Sequence, residues 1–152
     1  DAAARGSLQA KNNLGLMYER GAGVPQSDAE AANWFKQAAE GGHPEAQSNY
    51  GAMLDNGRWV TRNSQEAIRW FTKAAQNGQV AAQLNLGLMY QSGRGGEPDQ
   101  VEAYKWFNLA ASGGSKEAAE FKRGLETMLT SSQVGEAQRR SLSENVAVVE
   151  RR

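Results

Sequence analysis

Leu14-Gly15-Leu16-Met17-Tyr18 returns 36 residues later as Tyr50-Gly51-Ala52-Met53-Leu54, and again as Leu86-Gly87-Leu88-Met89-Tyr90. Trp34-Phe35 returns in the same phase as Trp70-Phe71 and Trp106-Phe107, and Ala38-Ala39 as Ala74-Ala75 and Ala110-Ala111. A fixed period of this size marks an array of supersecondary units, each packing on its neighbours to build a continuous core. The reading that follows is all-α: a solenoid of helix-turn-helix repeats.

One unit shows why. Ala46, Tyr50, Met53 and Leu54 follow the i, i+4, i+7, i+8 spacing of one helical face. Pro44 suits a first helical turn, where its missing N–H is no loss. Asn56-Gly57 is a C-terminal stop. This first helix, A, is followed by a short loop and a second, B. Asn63 precedes Glu66 by three residues, the pattern of a capping box in which two side chains satisfy each other's backbone amides. Ser27 with Glu30 and Asp99 with Glu102 repeat it in register. Ala67, Trp70, Phe71, Ala74 and Ala75 share one face of helix B, and Gly78 ends it, as Gly42 and Gly114 end its counterparts. Gly15, Gly51 and Gly87 sit mid-helix at about 1 kcal/mol each relative to alanine. Close helix approach explains that cost, with Trp and Phe of helix B beside the glycine.

The period breaks at both ends. Ala2-Ala3 and Gly6 stand one period before Ala38-Ala39 and Gly42, which reads as the end of a preceding repeat over 1–6. Repeats then cover 7–42, 43–78 and 79–114. Residues 115–152 depart: Arg123 falls in the glycine phase and no Trp-Phe pair follows. Thr130 and Gln133 form a fourth box pattern, opening a helix with Val134, Ala137, Leu142, Val146 and Val149. This reads as a C-terminal capping helix that covers the apolar end of the stack.

Composition narrows the function. Lys plus Arg and Asp plus Glu number 17 each, so the net charge is zero. There is no basic excess of the kind a nucleic-acid binder carries. No apolar run reaches the roughly 20 residues of a membrane span. There is no cysteine, and thiol, disulfide and zinc-thiolate chemistry are absent with it.

The pattern A-x-x-N-L-G-x-M-Y-x-x-G-x-G-V, a spacer, and E-A-x-x-W-F-x-x-A-A-x-x-G resembles the Sel1-like repeat, a relative of the tetratricopeptide repeat. The resemblance covers residues 2 to about 114, and Met128-Leu129-Thr130 with Glu136-Ala137-Gln138 is similar to a common Sel1 ending. It implies a right-handed α/α superhelix with helix A on the concave face. It also implies an adaptor in a bacterial envelope setting, hence a periplasmic or envelope location. A cysteine-rich subgroup is associated with penicillin binding, and this chain lacks those cysteines.

Catalytic signals are weak. His43, the single histidine, stands where other repeats have Ser7, Gln79 and Ser115. A helix N-cap or an exposed residue is the expectation, because a catalytic histidine needs a positioned partner. Gly21-Ala22-Gly23 and Gly93-Arg94-Gly95-Gly96 lack the Lys-Ser/Thr of a phosphate loop. No catalytic residue, cofactor or metal site is expected.

Partner contacts are sought in the concave groove. Asn13, Asn49 and Asn85 occupy one phase of helix A. They either fasten neighbouring backbone within the array or form a ladder for the backbone of a bound peptide. Positions that vary between repeats are Asn12, Ser48 and Leu84, then Leu16, Ala52 and Leu88, then Glu19, Asp55 and Gln91. Leu84 and Leu88 either offer an apolar anchor site or contact the next helix. Trp59 replaces Gly23 and Gly95. Large aromatics are mostly buried, so a ring folded over helix ends is the first expectation. An exposed anchor beside Arg58 and Arg62 is the other.

The expected function is a non-enzymatic protein-interaction scaffold: the C-terminal part of a larger envelope adaptor, regulatory or localisation protein. It would take a protein or peptide segment in its groove, with self-association through the repeat ends as a further mode. The alternative is a cell-wall-directed enzyme or peptidoglycan-type ligand binder, which would place an acidic pair in a deep pocket near His43 or Trp59.

Overall fold

The computed structural model describes residues 2–151, except for the side chains of residues 2–4, 146–149 and 151. The described residues form eight helices and no strand. In order they are α1 (Ala2–Arg20), α2 (Asp28–Glu40), α3 (Pro44–Asn56), α4 (Ser64–Gln76), α5 (Val80–Ser92), α6 (Gln100–Ser112), α7 (Lys116–Glu126) and α8 (Ser131–Arg151). The chain forms two compact units, Asp1–Trp70 and Phe71–Arg152, which divide within α4.

Each helix boundary follows from local chemistry. The helices corresponding to A open on a side-chain cap in one phase. His43 Nδ1, Gln79 Oε1 and Ser115 Oγ accept from the amides of Ala46, Ala82 and Ala118 at 3.2, 2.7 and 3.1 Å. Gly57 and Gly93 end α3 and α5 in the left-handed region, at φ +69° and +75°, which glycine enters without a Cβ penalty.

The helices corresponding to B open on Ser27, Asn63 and Asp99, whose side chains accept from Glu30, Glu66 and Glu102 N–H at 3.2, 3.0 and 3.0 Å. The expected boxes are only half made. The amides of Ser27, Asn63 and Asp99 donate instead to Tyr18, Leu54 and Tyr90 carbonyls, each at 2.9 Å. That bond ties the end of each helix A to the start of its helix B. It leaves no amide for the glutamate to cap. The full reciprocal box occurs once among the described residues. Thr130 N–H donates to Gln133 Oε1 at 2.9 Å, and Gln133 N–H donates to Thr130 Oγ1 at 3.1 Å.

In the first unit, α1 packs on α2 and α2 on α3. Phe35 is fully buried and lies where a Cβ on Gly15 would come within 2.5 Å of its ring. The glycine thus admits the phenylalanine ring, and in the next repeat Trp70 meets Tyr50 edge-on at 5.7 Å. Helix α1 runs unbroken through Gly6, where the register placed the end of a preceding repeat. Alanines in Ala2–Ala4 favour helix, and one glycine costs too little to stop it. The side chains of Ala2 and Ala3 lie outside the described residues.

In the second unit, α5 packs on α6, and α6 carries both α7 and α8. Ala103, Tyr104, Phe107, Ala110, Ala118, Leu125 and Ala137 make its core. Gly87 meets the Phe107 ring as Gly15 meets Phe35, and Phe107 stacks on Phe121 at 5.2 Å. On α8, Ala137 is buried and Val134 partly so, but Leu142 is exposed and Ser141 takes the inward place. Ser141 Oγ donates to the Ala137 carbonyl at 3.0 Å and sits 3.4 Å from that of Lys105. Ion pairs also hold this helix. Buried Lys105 pairs with Glu102 and with Glu144, and Arg140 bridges Glu102 and Glu136. The side chains of Val146 and Val149 lie outside the described residues.

Candidate interaction surface

His43 is engaged on both ring nitrogens. Nδ1 caps α3 and Nε2 lies 2.9 Å from Gln9 Oε1. Accepting at Nδ1 and donating at Nε2 fixes the neutral tautomer, and burial lowers the pKa from its usual 6.5, opposed by nearby Glu45. Tyr104 is pushed up to about 12 by burial and by donating to Glu126 Oε1 at 2.8 Å. Both shifts accompany structural contacts. No group of three or more His, Cys, Asp or Glu among the described residues could hold a metal ion. A cleft of about 190 Å³ in the second unit is lined by Gly78, Val80, Gln83, Leu109, Ser112, Gly113 and Asn145, none of them ionisable.

Most of the variable helix A positions are occupied within the array. Asn12 is fully buried and its Oδ1 accepts from Asn49 Nδ2 at 3.1 Å. Ser48 and Asp55 are buried too, and Asp55 accepts from Ser64 Oγ at 2.9 Å. Glu19 accepts from Arg58 at 3.0 Å. The Gln91 carbonyl accepts from Gln100 Nε2 at 3.1 Å while its side chain is half-buried. Leu84 and Leu88 pack against the core of the second unit. Asn85, Leu16 and Ala52 are half-buried. Asn13 is exposed and accepts from Gln9 at 3.0 Å.

Two residues missed in the sequence serve the repeat directly. Buried Gln47 and Gln83, one period apart, donate to the Ala39 and Ala75 carbonyls, each at 3.2 Å. A buried amide in one phase of two repeats was the available signal.

Trp59 stands apart. Trp59 is 71% exposed, not folded over helix ends. Its φ is +61°, the sole left-handed value at a non-glycine among the described residues, where Gly23 and Gly95 have +77° and +86°. A Cβ there costs about 1–2 kcal/mol. Loop anchors hold the strained backbone in place. Arg58 N–H donates to the Met53 carbonyl at 3.0 Å and Asn63 N–H to that of Leu54 at 2.9 Å. Arg58's guanidinium spans Glu19 at 3.0 Å and Asp28 at 2.5 Å. The bond to Asp28 raises its pKa above the ordinary arginine value.

The Sel1 repeat model matches residues 8–43, 44–79 and 80–115. The chain belongs to the Sel1 repeat family. Such repeats are generally protein-interaction modules. A Sel1 repeat protein from Oxalobacter formigenes is 36% identical, with a TM-score of 0.72 over 78% of this chain and 90% of that one. The structure of c5321, a protective antigen present in uropathogenic Escherichia coli strains and displaying an SLR fold, is 34% identical with a TM-score of 0.84. It is matched over 97% of this chain, which spans only 33% of that protein. Helicobacter pylori cysteine rich protein B shares the fold, at 19% identity and a TM-score of 0.64 over 78% and 94% of the two chains. No curated protein matches the chain. No helix among the described residues is long and apolar enough to cross a membrane.

Proposed function

We propose that this Sel1 array works as a protein-binding scaffold in a bacterial envelope adaptor or localisation protein, in the periplasm. The observation that supports it is where the polar side chains go. His43, Gln47, Gln79, Gln83, Ser115 and the N-caps of the second helices are consumed in holding helices in place. What remains for a ligand is surface that departs from the repeat, carried on a rigid frame. The envelope setting draws support from the likeness to a protective antigen, a class of protein that an immune response reaches. A cell-wall enzyme would need a positioned acid pair near His43 or Trp59; His43 is a cap, and Glu19 and Asp28 are paired with Arg58 of Trp59's loop.

The test is cross-linking in periplasmic extract, followed by titration calorimetry of the purified chain with each purified captured protein. Saturable one-to-one binding supports the scaffold. Turnover of peptidoglycan fragments or a β-lactam, abolished by one carboxylate substitution, overturns it.

A further inference from the structure

Trp59 and Arg62 share the four-residue stretch between Arg58 and Asn63, and both are exposed. Arg58, beside them, has its charge balanced by Glu19 and Asp28. Arg62 has no ion-pair partner among the described residues. The loop therefore presents one large apolar face and one uncompensated, forked cation on a backbone that hydrogen bonds hold at both ends. A rigid aromatic loses little freedom when it is covered. Tryptophan and arginine are also the side chains that most often dominate binding energy.

We infer that Trp59 and Arg62 are the anchor of a binding site for an acidic peptide segment. An apolar side chain of the segment lies on the indole, and an adjacent carboxylate takes the Arg62 guanidinium in a two-pronged bond. The inference rests on the scaffold reading and names the chemistry of the partner. Charge complementarity carries it: Arg62 adds a positive charge to the loop, and Glu19 and Asp28 are already engaged by Arg58. The same fact counts against a sugar, since Glu19 and Asp28 are held by Arg58 and are not offered to hydroxyls. It also counts against a bilayer, because one indole, the half-buried Val60 and one cation fall short of the two signals stable membrane attachment needs.

The experiment pans a random twelve-residue peptide library on the purified chain and measures the affinity of enriched peptides by fluorescence polarisation. The expected peptides place Asp or Glu next to a large apolar residue. Trp59→Gly, which suits the backbone at that site, should weaken them at least about tenfold. Arg62→Glu should weaken them comparably, and an acid-to-lysine peptide should recover binding to Arg62→Glu. Circular dichroism and thermal melts confirm that both variants fold, and Gly124→Ala serves as the unaffected control. Peptides that bind both variants as well as the parent overturn the anchor while leaving the scaffold reading intact. Failure to enrich any peptide overturns the acidic-segment proposal, and scaffold binding is then judged by calorimetry with whole proteins. Trp59-dependent binding to phosphatidylglycerol vesicles without peptide enrichment assigns the loop to a membrane instead and also overturns the proposal.

Discussion

Replacing Gly87 by alanine sets two known effects against each other. Alanine is the better helix former by about 1 kcal/mol at an interior position. The added Cβ, however, would meet three ring atoms of Phe107, at 2.5 Å from Cδ1, 2.9 Å from Cζ and closer still to Cε1. Phe107 is fully buried and stacked on Phe121, so the ring cannot swing into solvent. Overpacking of this kind costs about 1–3 kcal/mol, and three contacts below 3.0 Å place it at the upper end. The expected net result is a loss of about 2 kcal/mol in urea unfolding. Gly124, inside α7, has open space where its Cβ would go. Gly124→Ala should therefore raise stability by about 0.5–1 kcal/mol. If Gly87→Ala stabilises the chain as Gly124→Ala does, close approach of α5 to Phe107 is not what keeps the glycine.

The remaining expectations test other contacts. His43 has a lowered folded pKa and caps α3 through an unprotonated nitrogen, so its contribution is present above the usual value of 6.5. As pH falls through 6.5 the unfolded chain takes the proton first, and stability drops until the folded pKa is passed. His43→Asn, an N-cap that does not titrate, should flatten the pH 7.5 to 5 stability profile, and an unchanged slope would refute the assignment. Lys105→Met leaves Glu102 and Glu144 partly buried without their shared cation; a loss of about 3 kcal/mol with faster hydrogen exchange in α8 is expected. Arg58→Ala removes two partly exposed ion pairs and should cost about 1 kcal/mol at low salt, less at 1 M salt; a cost that ignores salt would point to lost packing instead.

The 36-residue phase was enough to read the helices, the Gly–Phe contacts and the helix caps, because packing of one helix on the next imposes the same demand at every turn of the repeat. It was silent where one residue has two ways to satisfy a backbone group. The glutamates at the third position of each helix B looked like reciprocal caps, yet the amides they would have capped reach back to the preceding helix instead. Spacing alone cannot rank those two acceptors. The phase also lost its meaning once a partner residue was missing. Arg123, in the glycine phase, is exposed, and on α8 Leu142, in the tryptophan phase, faces solvent while Ser141 turns inward. For function the rule reverses. Asn12, Ser48, Asp55 and the two leucines vary between repeats, which invites a ligand-contact reading, but Asn12, Ser48 and Asp55 are buried and the half-buried leucines pack on the core of their unit. Variation indicates surface use only where the backbone also resists it, as at Trp59. A tryptophan held at φ +61° where glycine would be unstrained, and left 71% exposed, gains little for the fold from its ring. Folding alone would favour glycine there, and that is the ground for placing the proposed anchor at this side chain.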